Sequence, residues 1–68
     1  MTERGEPGVV EEVLPRALYR VRLDDGQTIR AGIDALSRGT LVRLIAGDRV
    51  VVRRVARDPG RGQIVRKL

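Results

Sequence analysis

The chain has 68 residues, 41% of them apolar, and contains neither cysteine nor histidine. That length holds one domain, which buries only about 60% of the surface its unfolded chain exposes. No disulfide framework or thiolate zinc site can reinforce so small a core, and the commonest general base and metal ligand is missing. An enzyme, a metal centre and a bound cofactor are therefore not expected. Thirteen arginines and one lysine against nine acidic residues leave a net charge of +5, which attracts polyanions. The guanidinium fork grips phosphate with two donors where an ammonium offers a point charge.

The opening residues Met1–Gly8 are polar and no apolar run exceeds three residues. The segment lacks the apolar stretch of a secretion signal, and nothing is long enough to span a bilayer. The reading is a soluble, cytoplasmic protein with no membrane partner: a short flexible tail over 1–5, then a single domain over 6–68.

Ten valines and four isoleucines favour strands over helices. The first strand is Val9-Val10-Glu11-Glu12-Val13-Leu14, whose apolar doublets break strict alternation as a curved or bulged strand does. Pro15 suits a turn over Leu14–Ala17. The second strand, Ala17–Asp24, alternates cleanly: Tyr19, Val21 and Leu23 on one face, Leu18, Arg20 and Arg22 on the other. Asp25-Gly26 is a hairpin signal. The third strand, Gln27–Ile33, turns Ile29, Ala31 and Ile33 inward and Thr28 and Arg30 outward.

Asp34 is placed to cap a short helix over Ala35–Arg38 that Gly39 ends, with Leu36 and Leu41 as plugs for a barrel end. Leu44-Ile45-Ala46-Gly47-Asp48 leads to the fourth strand, Arg49–Arg57. Asp58-Pro59-Gly60 has the residue order of a type II turn, and Arg61–Lys67 is the fifth strand. Five short strands with a helix between the third and fourth make an all-β fold, the five-stranded OB barrel.

Four blocks in this order carry a family resemblance: Val10–Pro15, Tyr19–Gly26, Arg43–Val50 and Gly60–Arg66. Together they resemble bacterial translation initiation factor one, without gaps from about Gly8 to Lys67. The resemblance implies an S1-like OB fold and a non-enzymatic factor. Its partner would be the small ribosomal subunit, at the decoding (A) site. There it would contact small-subunit (16S-type) rRNA beside a ribosomal protein and act as a monomer with initiation factors two and three. The chain departs from the family pattern at three places. Gly32 stands where the family has histidine, the segment Ala35–Leu41 keeps Arg38 but lacks two lysines and an aromatic, and Gln63 replaces an arginine. Extra arginines stand at Arg30, Arg53, Arg54 and Arg57.

By position in the motif, the resemblance implies RNA contacts for Arg38, Arg43, Arg61, Arg66 and Lys67. Arg20 and Arg30, outward-facing on their strands, are further candidates. Arg22 is expected to pair with Glu11 or Glu12 across the strands, with Arg20 left open between pairing and RNA. Either a bulge turns Arg53 and Arg54 both outward, or one covers the barrel end with its aliphatic stem. Tyr19, the one aromatic residue, shares the apolar phase and reads as core, so there is no stacking platform. Gly26, Gly47 and Gly62 read as backbone-conformation glycines.

Two rival functions remain open. One is a paralogous RNA chaperone or cold-shock-type binder without a dedicated ribosomal site. The other is a small β-barrel protein–protein adaptor, for which Leu18, Val51 and Leu68 are the exposed apolar candidates.

Overall fold

Strands β1 (Glu6–Leu14), β2 (Leu18–Leu23), β3 (Thr28–Ile33), β4 (Arg49–Val55) and β5 (Asp58–Lys67) close into a barrel ordered β1-β2-β3-β5-β4. They belong to a computed structural model that describes residues 5–34 and 43–68. All neighbours run antiparallel except β3 and β5, which are parallel. This is the expected OB strand order. The helix expected over Ala35–Arg38, with Gly39, Leu36 and Leu41, lies outside the described residues, as does all but Gly5 of the expected tail.

Period-two alternation decides what is inside. On β2, Tyr19, Val21 and Leu23 point into the core while Arg20 and Arg22 face water. Ile29 and Ala31 of β3, Val50 and Val52 of β4, Ile64 of β5 and Val10 of β1 complete the cluster. Leu44, from the segment ahead of β4, joins it at 3% exposure. Each aliphatic chain so buried contributes about 1.5–3 kcal/mol. Tyr19, 9% exposed, is a core residue as its phase implies.

In the closed barrel every strand pairs on both sides, and at two of the doubly paired positions, both glycine, the neighbours leave no room for a side chain. Gly8 of β1 lies opposite Leu23 of β2 and Val50 of β4. A β-carbon there would sit 2.7 Å from the Arg22 carbonyl oxygen and 2.9 Å from Val21 Cγ1. Gly62 of β5 lies between Ala31 and Arg54, and a β-carbon would sit 2.8 Å from the Arg53 carbonyl oxygen. The requirement at Gly62 is therefore space, not backbone conformation as its sequence context implied. Gly26 and Gly47 do take positive φ, 94° and 99°, where side chains are disfavoured.

The doublets of β1 do mark a bulge. The register steps from Val10–Val21 to Glu12–Arg20 and leaves Glu11 unpaired in the ladder. Beside it, Val10 N–H donates to the Asp48 carbonyl at 2.9 Å and Gly47 N–H to the Val10 carbonyl at 2.7 Å. The segment that carries Leu44 is thereby tied to β1.

The turns differ in kind. In the β2–β3 turn, Gly26 N–H donates to the Leu23 carbonyl at 2.9 Å and Gln27 N–H to Asp25 Oδ1 at 2.9 Å. In the β1–β2 turn, Arg16 and Ala17 both take positive φ, 65° and 58°, a conformation costing a non-glycine residue about 1–2 kcal/mol. The β4–β5 turn is Ala56-Arg57, with Val55 opposite Asp58. It thus precedes Asp58-Pro59-Gly60, which opens β5 instead of forming the expected turn. Pro59 and Gly60 fall in the register gap between the Val55–Asp58 and Arg54–Gly62 pairs. The missing N–H of Pro59 therefore breaks no ladder there.

Two stability outcomes follow from this geometry. Gly62→Ala and Gly8→Ala each lower the unfolding free energy by about 1–3 kcal/mol, because backbone must shift to admit the methyl group. Ala17→Gly raises it by about 0.5–1 kcal/mol, the relieved left-handed strain outweighing glycine's added unfolded-state entropy. Urea denaturation of the three variants measures both.

Candidate nucleic-acid interface

The outward arginines divide into two populations by whether a carboxylate already holds them. Arg20 pairs with Glu12 at 2.7 Å, and Arg22 with Glu11. Arg49 donates two hydrogen bonds to Asp24, at 2.9 and 3.1 Å. Through that hydrogen bonding first and its charge second, Asp24 raises the Arg49 guanidinium above its already high ordinary pKa. Arg53 reaches Asp34 at 3.4 Å and Lys67 reaches Asp48 at 3.6 Å.

Arg54 is held most fully. It shares the inward phase of Val50 and Val52, and its side chain is only 20% exposed as it crosses the barrel mouth. There it meets Glu6 at 2.7 Å, Gln27 Oε1 at 2.8 Å and Asp25 at 3.5 Å. Its Nη2 donates to Glu6 Oε1 at 3.1 Å, whereas its buried Nε has no aligned hydrogen bond. Of the two alternatives for the adjacent pair, one is realised: Arg54 covers the barrel end and Arg53 points outward.

Among the described residues, Arg16, Arg30, Arg43, Arg57 and Arg61 make no ion pair. Arg16 and Arg57 flank a cleft that two of these five, Arg30 and Arg61, line. Its volume is about 300 Å³, and Leu18, Gly32, Ile33, Val55, Arg30 and Arg61 are among its lining residues. A second hollow shares Leu18, Gly32 and Ile33 and extends to Arg16 and Ala17. Arg57 occupies the turn between the lining residues Val55 and Asp58. The cleft thus spans the outer face of β2, β3 and β5 between the β1–β2 and β4–β5 turns. In OB barrels that face and those turns are where oligonucleotides bind.

Strand pairing explains the arrangement. Parallel pairing sets Arg30 directly opposite Arg61, and antiparallel pairing sets Arg20 opposite Arg30 and Glu12 opposite Arg20. One row thus runs Glu12, Arg20, Arg30, Arg61 across four strands. Glu12 takes Arg20 and leaves two like charges side by side, an unfavourable juxtaposition unless an anion joins them. The next row is Leu18, Gly32, Gln63 and Arg53. The cleft therefore combines aliphatic Leu18 with polar Gln63, around an opening at Gly32 where a β-carbon would meet only Leu18 Cδ2, at 3.9 Å.

The candidates read from sequence scatter over this surface. Arg30 and Arg61 come together in the cleft. Arg20 lies beside them but is held by Glu12, so its alternative of pairing is realised. Arg43 is exposed just before buried Leu44 and does not line the cleft. Arg66, opposite Val51 on the β4–β5 seam, has an interaction of its own, and Lys67 is engaged by Asp48. Arg38 lies outside the described residues. Arg16 did not stand out in the sequence; two left-handed residues in a glycine-free turn leave no signature there. Of the apolar candidates for an adaptor surface, Val51 is buried at 6% exposure and Leu18 is half-buried, while Leu68 is exposed. Among the described residues no helix is long and apolar enough to cross a membrane.

No protein-family model matches the chain. Its fold is similar to the solution structure of translation initiation factor one from the wolbachia endosymbiont strain TRS of Brugia malayi. The two share 35% sequence identity with a TM-score of 0.74, over 94% of this chain and 76% of that one.

The open space at Gly32 has a measurable consequence. Gly32→Thr raises the unfolding free energy by about 0.5–1 kcal/mol, since a β-branched residue replaces glycine in a strand at a position with room for its β-carbon. Thermal denaturation beside Gly62→Ala separates the strand position with room from the one without.

Proposed function

The chain belongs to the family of translation initiation factor one, and from that premise we propose that it acts in initiation by occupying the decoding (A) site of the small ribosomal subunit. The observation that carries the reading is the 35% identity extending over 94% of the chain. The cleft supplies a mechanism. Unpaired guanidinium groups of Arg16, Arg30, Arg57 and Arg61 attach the barrel to phosphates of small-subunit rRNA, with Arg43 and Arg38 as further contacts. Attachment is electrostatic and the effect steric: the barrel fills the site while initiator transfer RNA is placed in the neighbouring one.

The remaining parts of the reading are a single RNA-binding domain over 6–68, a cytoplasmic monomer, and cooperation with initiation factors two and three beside a ribosomal protein. No covalent step is involved. Two features favour this over the rivals. The cleft floor of Leu18, Ile33 and Val55 carries no aromatic ring on which the bases of a generic single strand would stack. Recognition therefore rests on the shape and backbone of a folded RNA. Burial of Val51 weighs against the adaptor alternative.

Chemical footprinting of small-subunit RNA tests the site, with protection expected at the decoding-site stem; protection confined elsewhere contradicts it. Salt tests the mechanism. Four arginine–phosphate contacts give a slope of log affinity against log salt of about −3 to −4, and a slope near zero on purified subunits rules out electrostatic attachment.

A further inference from the structure

The geometry points to a single phosphate site that Arg30 and Arg61 share, so that one backbone phosphodiester bridges the two guanidinium groups. The inference deepens the proposed function and rests on its reading that the ligand is RNA. Its basis is the pairing of the strands. Arg30 and Arg61 are register partners across the parallel β3–β5 seam, where neighbouring strands run about 4.8 Å apart. Both line the same cleft, and neither has an ion pair among the described residues.

Asp58 also lines the cleft, but neither it nor Glu12 forms an ion pair with Arg30 or Arg61. Glu12 holds Arg20 at 2.7 Å, and Asp58 Oδ1 accepts the Gly60 N–H at 3.2 Å. Two like charges held side by side by backbone register repel until an anion lies between them. A phosphodiester has two free oxygens, one for each fork, and planar guanidinium donors suit such bridging. On this arrangement Arg30 is more than a general contributor of positive charge. It completes a site that Arg61 alone leaves open.

The clamp makes the two residues act as a unit, and that separates it from two independent surface cations. Dimethyl phosphate, the simplest phosphodiester, is titrated into the protein while the arginine Nε–H resonances are followed by NMR. Arg30 and Arg61 are expected to shift on one isotherm. In Arg30→Gln the response of Arg61 falls about fivefold or more, and in Arg61→Gln that of Arg30 does likewise. Arg30→Lys keeps the charge but loses most of the response. Arg22→Gln, which removes a cation held by Glu11 on the same strand as Arg20, leaves both responses intact.

A second arm measures small-subunit affinity. Each single glutamine variant weakens binding about tenfold, as loss of a charge-assisted contact does, and the double variant weakens it by less than about twofold more. Multiplicative losses, or separate isotherms with undiminished shifts in the single variants, overturn the clamp. A response to inorganic phosphate without one to dimethyl phosphate overturns its assignment to RNA backbone. If the dimethyl phosphate response is as expected but wild-type protein does not bind subunits, the clamp stands and the ribosomal reading falls.

Discussion

Closing a barrel with five short strands requires every strand to pair on both sides, and at two of the doubly paired positions the neighbouring backbone comes too close to leave room for a β-carbon. Gly8 and Gly62 are the points where this happens. Everything placed on the outer surface follows from the resulting registers. With Gly62 seated between Ala31 and Arg54, the residue before it, Arg61, must face Arg30, and the residue after it, Gln63, must face Gly32. The cleft is thus a product of closure. It lies where the one parallel seam carries the outward residues of β3 and β5.

The charges on this scaffold are sorted by intramolecular pairing more than by position in sequence. A guanidinium already bonded to a carboxylate has committed donors and much of its field, and contributes less to an external phosphate than a bare one. The pairs on β1, β2 and β4 are mostly exposed, and such pairs add little stability. Their larger consequence is to neutralise one side of a strongly basic barrel. The mostly covered Arg54 differs, since it ties β4 to β1 and to the β2–β3 turn at the barrel mouth. Among the described residues, the arginines without an ion pair lie in or beside the cleft, with Arg43 apart from it.

Strands and core were legible in the sequence because period-two alternation and aspartate–glycine turns are local signals. Tyr19, Val21 and Leu23 could be placed inside on phase alone, and the doublets of β1 announced its bulge. The last turn was misplaced because proline and glycine mark both turns and irregular strand openings; only the pairing of Val55 with Asp58 distinguishes them here. The site was harder to read. Arg30 and Arg61 were each visible as outward or motif arginines, yet their adjacency depends on a parallel pairing between residues distant in sequence. Arg20 and Lys67 look equivalent to them in sequence, but Glu12 and Asp48 engage both. The family resemblance picked out basic positions without distinguishing paired from unpaired.

If the unpaired arginines in and beside the cleft, and not the total positive charge, attach the protein to its RNA, two variants that lose equal charge must differ in small-subunit affinity. One replaces Arg16, Arg30, Arg57 and Arg61 by glutamine, and the other replaces Arg20, Arg22, Arg49 and Arg53. Attachment through the cleft means that the first loses more than about a hundredfold in affinity and the second less than about tenfold, in line with the cost of removing phosphate contacts. Equal losses in the two variants would show that bulk charge alone holds the protein to the subunit.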